Sequence, residues 1–137
     1  MSALRAYIVE DSPVILENLV ATLKEFADVD VVGSAADESA AVNWLAREGK
    51  SGADLVIVDV FLRSGTGLAV LRAAQEFGVP APRVVLTNYA TEDMRRRCLA
   101  LGAVSVFDKS HQLDELISYC AELATVRGAG TPPDPGV

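Results

Sequence analysis

The chain alternates between short, nearly continuous hydrophobic runs and longer segments in which hydrophobic residues recur with helical spacing. The continuous runs cover residues 5–10, 29–35, 55–59, 83–87 and 104–108. Such runs are typical of β-strands that are covered on both faces. Between them, series such as Leu16, Leu19 and Leu23 repeat every three to four residues, which indicates amphipathic α-helices. The pattern therefore predicts five strands alternating with five helices.

Polar and special residues mark where these helices begin and end. Ser12, Asp37 and Thr91 are candidate N-caps, since their side chains can accept a hydrogen bond from the first helical turn. Ser110 is expected to begin the last helix, and Gly102 is expected to end the one before it. Strict β/α alternation predicts a parallel sheet with right-handed crossovers.

We assign the chain to the α/β class, as a (βα)5 flavodoxin-like, doubly wound parallel sheet with strand order 2-1-3-4-5. One domain is predicted over residues 1–127. The last ten residues, GAGTPPDPGV, are too rich in Gly and Pro to form a packed element, so residues 128–137 are predicted to be a mobile C-terminal tail.

The strands end in polar residues. Glu10 and Asp11 follow the first strand, Asp59 ends the third, Thr87 ends the fourth and Lys109 follows the fifth. In open α/β sheets, ligands bind at the carboxyl ends of the strands, near the switch point of strand order. We therefore expect three carboxylates, one hydroxyl and one ammonium group to lie on one rim of the sheet.

This set of groups is suited to phosphoryl chemistry. Three neighbouring carboxylates repel one another unless a cation is present, and a hard divalent cation such as Mg²⁺ prefers oxygen ligands. Lys109 could bind a phosphoryl oxygen as a point charge, and Thr87 could donate a hydrogen bond to one. Asp59 is the candidate nucleophile, because carboxylates can form aspartyl phosphates.

Charge and composition exclude several other functions. A net charge of −7 argues against nucleic acid and anionic membrane surfaces as partners, because such binding depends on Lys and Arg. The sequence contains no membrane-spanning hydrophobic stretch and no signal peptide, so we expect a cytoplasmic protein. Cys98 and Cys120 are interpreted as small buried residues, and the single histidine, His111, is assigned no role.

The five polar residues occur in one order within one β/α frame, and Gly67 follows Asp59 by eight positions. In these features the chain resembles the receiver domain of bacterial two-component response regulators, over about residues 4–127. The resemblance implies that Asp59 accepts a phosphoryl group from a phosphohistidine on a sensor histidine kinase or a histidine phosphotransfer protein. It also implies that Glu10, Asp11, Asp59 and the main-chain carbonyl of Phe61 hold Mg²⁺.

By the same resemblance, Thr87 and Lys109 bind the phosphoryl oxygens and couple them to a conformational change. The output is then a protein-interaction surface for a downstream protein, and phosphorylation-dependent dimerisation is one form it could take. We expect this surface on the fourth helix, fifth strand and fifth helix, where Arg95, Arg96, Arg97 and the pair Val106–Phe107 lie. The chain is thus predicted to be a signalling module and not an enzyme, catalysing at most its own phosphotransfer and dephosphorylation.

Several positions depart from the family pattern. Arg63 and Ser110 stand where family members commonly have proline, Asn88 where they have a small residue, and Val106 where they have the switch aromatic. Phe61 and Tyr89 are two bulky rings, two positions after Asp59 and Thr87 respectively. We expect them to exclude water and to prolong the phosphorylated state.

Three alternative functions stay open. A pseudo-receiver would keep the fold without being phosphorylated, although the acceptor, metal and lysine positions are all complete. A small phosphohydrolase of the haloacid dehalogenase type would need a second Asp two positions after Asp59, where Phe61 stands. A flavodoxin-like flavin carrier would bring the flavin phosphate against acidic residues.

Overall fold

The computed structural model describes residues 3–128. Its elements, in chain order, are β1 (Leu4–Val9), α1 (Pro13–Ala27), β2 (Val29–Ala35), α2 (Glu38–Glu48), β3 (Leu55–Val58), α3 (Gly67–Glu76), β4 (Arg83–Thr87), α4 (Glu92–Ala100), β5 (Ser105–Asp108) and α5 (Leu113–Gly128). The predicted alternation of five strands and five helices is confirmed. Gly128 is the last residue of α5, and the rest of the predicted tail, residues 129–137, lies outside the described residues.

The five strands form one parallel sheet in the order β2-β1-β3-β4-β5, as predicted. Two hydrophobic clusters cover its two faces. Alternate residues of β3 enter opposite clusters, with Ile57 beneath α1 and α5 and with Val56 and Val58 beneath α2, α3 and α4. This alternation follows from the two-residue period of a strand. It explains why the central strand β3 is apolar and buried along its whole length.

The three predicted N-caps are confirmed, and the expected start of the last helix is wrong. Ser12, Asp37 and Thr91 each accept a hydrogen bond from the first turn of their helix. Ser110, in contrast, does not begin α5, which starts at Leu113. The backbone N–H of Ser110 donates to the carboxylate of Asp108 at 2.7 Å, so this serine belongs to a tight turn after β5. Such local side-chain hydrogen bonds compete with helix formation.

Gly67 sets the position of the loop between β3 and α3. Its backbone N–H donates to the carbonyl of Val60 at 2.7 Å, and a Cβ at this position would collide with the backbone of Asp59 and Val60. Only a glycine lets the start of α3 approach the end of β3 so closely. The loop after Asp59 is thereby folded back against the rim of the sheet.

Phe26 continues the helical spacing of Leu19 and Leu23 in α1, yet it is 63% exposed, so spacing by itself does not place this residue in the core. In the part of the chain that the structure describes, none of the helices has the length and hydrophobicity needed to span a bilayer.

Candidate functional site

The backbone hydrogen bonds of the sheet bring the predicted polar residues together. They continue just past the strand ends, where Asp59 N–H donates to the carbonyl of Val9 and Lys109 N–H donates to that of Thr87, both at 2.9 Å. These bonds align Asp59 with the end of β1 and Lys109 with the end of β4. The residues predicted to share one rim therefore do so.

The buried polar residues identify the site by themselves. Among residues 3–128, the polar or charged residues that are buried are Glu10, Asp59 and Thr87. All three line one cavity of about 190 Å³ at the carboxyl end of the sheet. Burying polar groups costs free energy unless they are paired, so their collection in one cavity indicates a functional site and not a packing requirement.

Lys109 neutralises two of the carboxylates at once. Its Nζ lies 2.7 Å from Glu10 Oε1 and 2.7 Å from Asp59 Oδ2, and its side chain is only 11% exposed. Burial by itself lowers the pKa of Lys109, but the hydrogen bonds and charges of Asp59 and Glu10 outweigh it, so the pKa lies above its ordinary value. The lysine therefore keeps its charge at neutral pH.

The acidic cluster fits a divalent cation. Glu10, Asp11 and Asp59 each offer a carboxylate oxygen, and these oxygens lie within 4.8 Å of one another. Both oxygens of Glu10 are engaged, one by Lys109 and the other by the backbone N–H of Ser12 at 3.0 Å. Asp11 forms no ion pair or side-chain hydrogen bond within the described chain. Mg²⁺ is usually bound through one or two carboxylates and keeps several waters, which is compatible with the carboxylates of Asp11 and Asp59.

The mouth of the cavity is formed by two aromatic rings and a polar loop. Phe61 and Tyr89 contact each other edge to face, with ring centroids 4.7 Å apart, and are 49% and 58% exposed. The Oγ1 of Thr87 accepts a hydrogen bond from the backbone N–H of Tyr89 at 3.3 Å. Asn88 also lines the cavity. Thr87 thus faces the cavity and holds the loop that borders it.

Arg95 occupies a position that sequence reasoning missed. Residues 95–97 are predicted to lie on the output surface, but the guanidinium of Arg95 donates to the carbonyls of Ala90 and Val106, at 3.2 and 2.6 Å, and to Gln112 Oε1 at 2.8 Å. Gln112 Oε1 also accepts from the backbone N–H of Asp108. Arg95 therefore joins α4, β5, the loop after Thr87 and the turn after Lys109. The sequence offers no signal that separates it from its two neighbours.

The other residues expected on the output face differ in their exposure. Arg96 and Arg97 are exposed, and Arg96 forms an ion pair with Asp93 at 3.1 Å. Val106 and Phe107 are both buried and belong to opposite clusters, because neighbouring strand residues point to opposite faces of the sheet. The expectation that this pair contributes to an exposed surface is wrong.

Comparisons with known proteins agree with this geometry. Residues 6–121 match the family model of the response regulator receiver domain. The chain is 33% identical over 109 residues to protein-glutamate methylesterase/protein-glutamine glutaminase 5 of Anaeromyxobacter dehalogenans, covering 77% of this chain and 28% of that protein. It is 32% identical over 114 residues to the virulence-factor transcription regulator BvgA of Bordetella pertussis, covering 83% and 53% respectively.

Solved structures show the same fold. The response regulator domain of Thermotoga maritima CheB superposes with a TM-score of 0.78 at 21% identity, covering 90% of this chain and 98% of that one. The chain spans between 28% and 53% of the length of the first curated relatives. The similarity to those relatives therefore concerns one part of each.

The ion pairs of Lys109 predict a specific pH dependence of stability. Because folding raises the pKa of Lys109, its contribution is fully present below the ordinary pKa of 10.5 and is lost as the pH rises through the higher, folded value. We expect Lys109→Met to lower the free energy of unfolding by about 3–5 kcal/mol at neutral pH. That difference should shrink as the pH rises above 10.5 and through the higher, folded pKa. Urea unfolding followed by circular dichroism, repeated over a range of pH, measures the free energy of unfolding and its pH dependence.

The matched control for this experiment is Lys24→Met, which removes an exposed ion pair with Asp30. Because solvent screens this exposed pair, its loss should change the free energy of unfolding far less than Lys109→Met does and should leave the alkaline loss of stability close to that of the parent. If Lys109→Met shows the same alkaline loss as the parent, the ion pairs of Lys109 do not stabilise the fold.

Proposed function

Because the chain belongs to the response regulator receiver domain family, we propose that it accepts a phosphoryl group on Asp59 from a histidine kinase or a histidine phosphotransfer protein. The supporting observation is that the buried polar residues of the described chain, Glu10, Asp59 and Thr87, all line one small cavity at the rim of the sheet. We propose a signalling module and not an enzyme, with a downstream protein as the recipient of its output.

In the proposed reaction, a carboxylate oxygen of Asp59 attacks the phosphorus of a phosphohistidine. The new P–O bond forms as the P–N bond to the imidazole breaks, and the imidazole leaves with the electron pair of that bond. Asp59 Oδ2 is held by Lys109 at 2.7 Å, whereas Oδ1 receives only a long hydrogen bond of 3.4 Å from the backbone of Phe61. Oδ1 is therefore the less engaged oxygen and the better candidate nucleophile.

Mg²⁺ would be held by Asp11, Asp59 and the main-chain carbonyl of Phe61, with Glu10 as an outer acidic group. When bound, the ion would neutralise the charge of the transferring phosphoryl group. Lys109 would bind a phosphoryl oxygen through its ammonium group, and Thr87 would donate a hydrogen bond to a phosphoryl oxygen. Lys109 already lies between two carboxylates, so phosphorylation of Asp59 removes the negative charge of one of its partners and supplies the phosphoryl oxygens as a replacement.

We propose that Arg95 transmits a shift of Thr87 or Lys109 from the cavity to the neighbouring segments. Thr87 precedes the loop that contains Ala90, and Lys109 precedes the turn that ends at Gln112. Arg95 donates to both Ala90 and Gln112. A shift of Thr87 or Lys109 toward a phosphoryl group would therefore reach one guanidinium that connects both segments. This connection could replace the aromatic switch, since Val106 stands where family members carry the aromatic residue.

The acceptor assignment is tested by phosphorylation with acetyl phosphate and Mg²⁺, followed by intact-mass measurement. The parent should gain one phosphoryl group, and both Asp59→Asn and omission of Mg²⁺ should abolish the gain. Asp30→Asn, which alters an exposed carboxylate paired with Lys24, should be labelled like the parent. Undiminished labelling of Asp59→Asn would refute the assignment, and an unlabelled parent would favour the pseudo-receiver alternative.

The role of Arg95 is tested by comparing Arg95→Ala with Arg96→Ala. Loss of the Arg95 hydrogen bonds should lower the free energy of unfolding by about 1–3 kcal/mol. It should also reduce the phosphorylation-induced backbone amide shifts in α4 and α5, while labelling of Asp59 is retained. Arg96→Ala removes only an exposed ion pair and should respond fully. Equal shifts in both variants would exclude Arg95 as the connection.

The rings at the mouth of the cavity predict a slow loss of phosphate. Hydrolysis needs a water aligned opposite the aspartyl oxygen, and Phe61 and Tyr89 border the cavity as an edge-to-face pair. The double variant Phe61→Asn/Tyr89→Glu opens this border and adds polar groups that can orient water. We expect its phosphorylated form to decay several-fold faster than the parent in Mg²⁺ buffer. Equal decay, with folding confirmed by circular dichroism, would show that the rings do not control the lifetime.

A further inference from the structure

A second concave surface lies between α3 and α4, away from the phosphoacceptor cavity. Its volume is about 440 Å³, more than twice that of the cavity at Asp59. The apolar part of its lining consists of Leu68 and Ala69 from α3 and Ala100 and Leu101 from α4. We call this surface the α3–α4 groove.

Two arginines face this groove from opposite helices. Arg72 belongs to α3 and Arg97 to α4, and both line the groove. Both are exposed, and neither forms an ion pair or a side-chain hydrogen bond with any residue of the described range 3–128. The groove therefore combines an apolar floor with two guanidinium groups that have no partner among the described residues.

Most of the described arginine and lysine side chains have a partner, and only Arg47 and Lys50 share the unpaired state of Arg72 and Arg97. Ion pairs are formed by Arg5, Lys24, Arg63, Arg96 and Lys109, and Arg83 and Arg95 donate to backbone carbonyls. The sequence has 19 acidic residues against 12 Lys and Arg, so carboxylates are in excess. Even so, none of the described carboxylates pairs with Arg72 or Arg97.

We propose that the α3–α4 groove binds an acidic amphipathic segment of a partner protein. Carboxylates of that segment would pair with Arg72 and Arg97, each able to form two parallel hydrogen bonds with a carboxylate. Its apolar side chains would lie on Leu68 and Leu101. A protein segment fits better than nucleic acid, because its apolar side chains can cover the apolar floor, which a phosphate backbone cannot. The proposal does not depend on phosphorylation of Asp59.

The test uses a fluorescein-labelled peptide of repeated Glu-Leu-Ala units and fluorescence anisotropy with the full chain. The parent should bind it saturably, and Arg72→Glu and Arg97→Glu should each weaken binding by about tenfold or more. Arg96→Glu is the matched control, because this arginine lies on the same helix but does not line the groove. It should bind within about twofold of the parent. Circular dichroism melts confirm that each variant is folded.

A charge exchange makes the test specific. A peptide in which every Glu is replaced by Lys should bind the Arg72→Glu/Arg97→Glu variant and not the parent. Absence of saturable binding to the parent, or equal weakening by Arg96→Glu, would overturn the proposal. So would competition by a DNA duplex at equal charge concentration, which indicates a general polyanion site, or self-association of the parent that Arg72→Glu abolishes, which indicates a second copy as the occupant.

Discussion

The site depends on the ion pairs that the ammonium group of Lys109 forms with Glu10 and Asp59. A parallel sheet delivers the ends of β1 and β3 to the same rim, so Glu10 and Asp59 must lie side by side with almost no exposure to water. Two buried carboxylates would repel each other and raise the cost of folding. Lys109, from the far end of the sheet, lies 2.7 Å from both. The folded site thus places one ammonium group between two carboxylates, and a phosphoryl group on Asp59 would change the charge beside that ammonium group.

The three consecutive arginines of α4 show how one helix can serve three purposes. Successive residues of an α-helix are rotated by about 100°, so Arg95, Arg96 and Arg97 point in different directions. Arg95 donates to backbone carbonyls on the β5 side, Arg96 pairs with Asp93, and Arg97 lines the α3–α4 groove. The same helix is therefore connected to the phosphoacceptor site through Arg95 and to the groove through Arg97. Movement of α4 would alter both.

Much of the fold and most of the site could be predicted from the sequence. The order of strands and helices follows from local hydrophobic periodicity, and the caps at Ser12, Asp37 and Thr91 follow from local side-chain chemistry. The convergence of Glu10, Asp11, Asp59, Thr87 and Lys109 also follows, because all strands of a parallel sheet end at one edge. Position along a strand is enough to place those residues on the rim.

Only the tertiary structure decided which of these groups contact one another. Several features depend on how the helices are rotated and packed on the sheet. They are the bridge that Lys109 forms between Glu10 and Asp59, the inward position of Arg95, the burial of Phe107, and the location of Arg72 and Arg97 on opposite sides of one groove. A rotation by one residue, about 100°, exchanges a buried position for an exposed one. The sequence determines periodicity and strand ends because both are local. Distances between residues far apart in the chain are determined only when the side chains of all layers pack together.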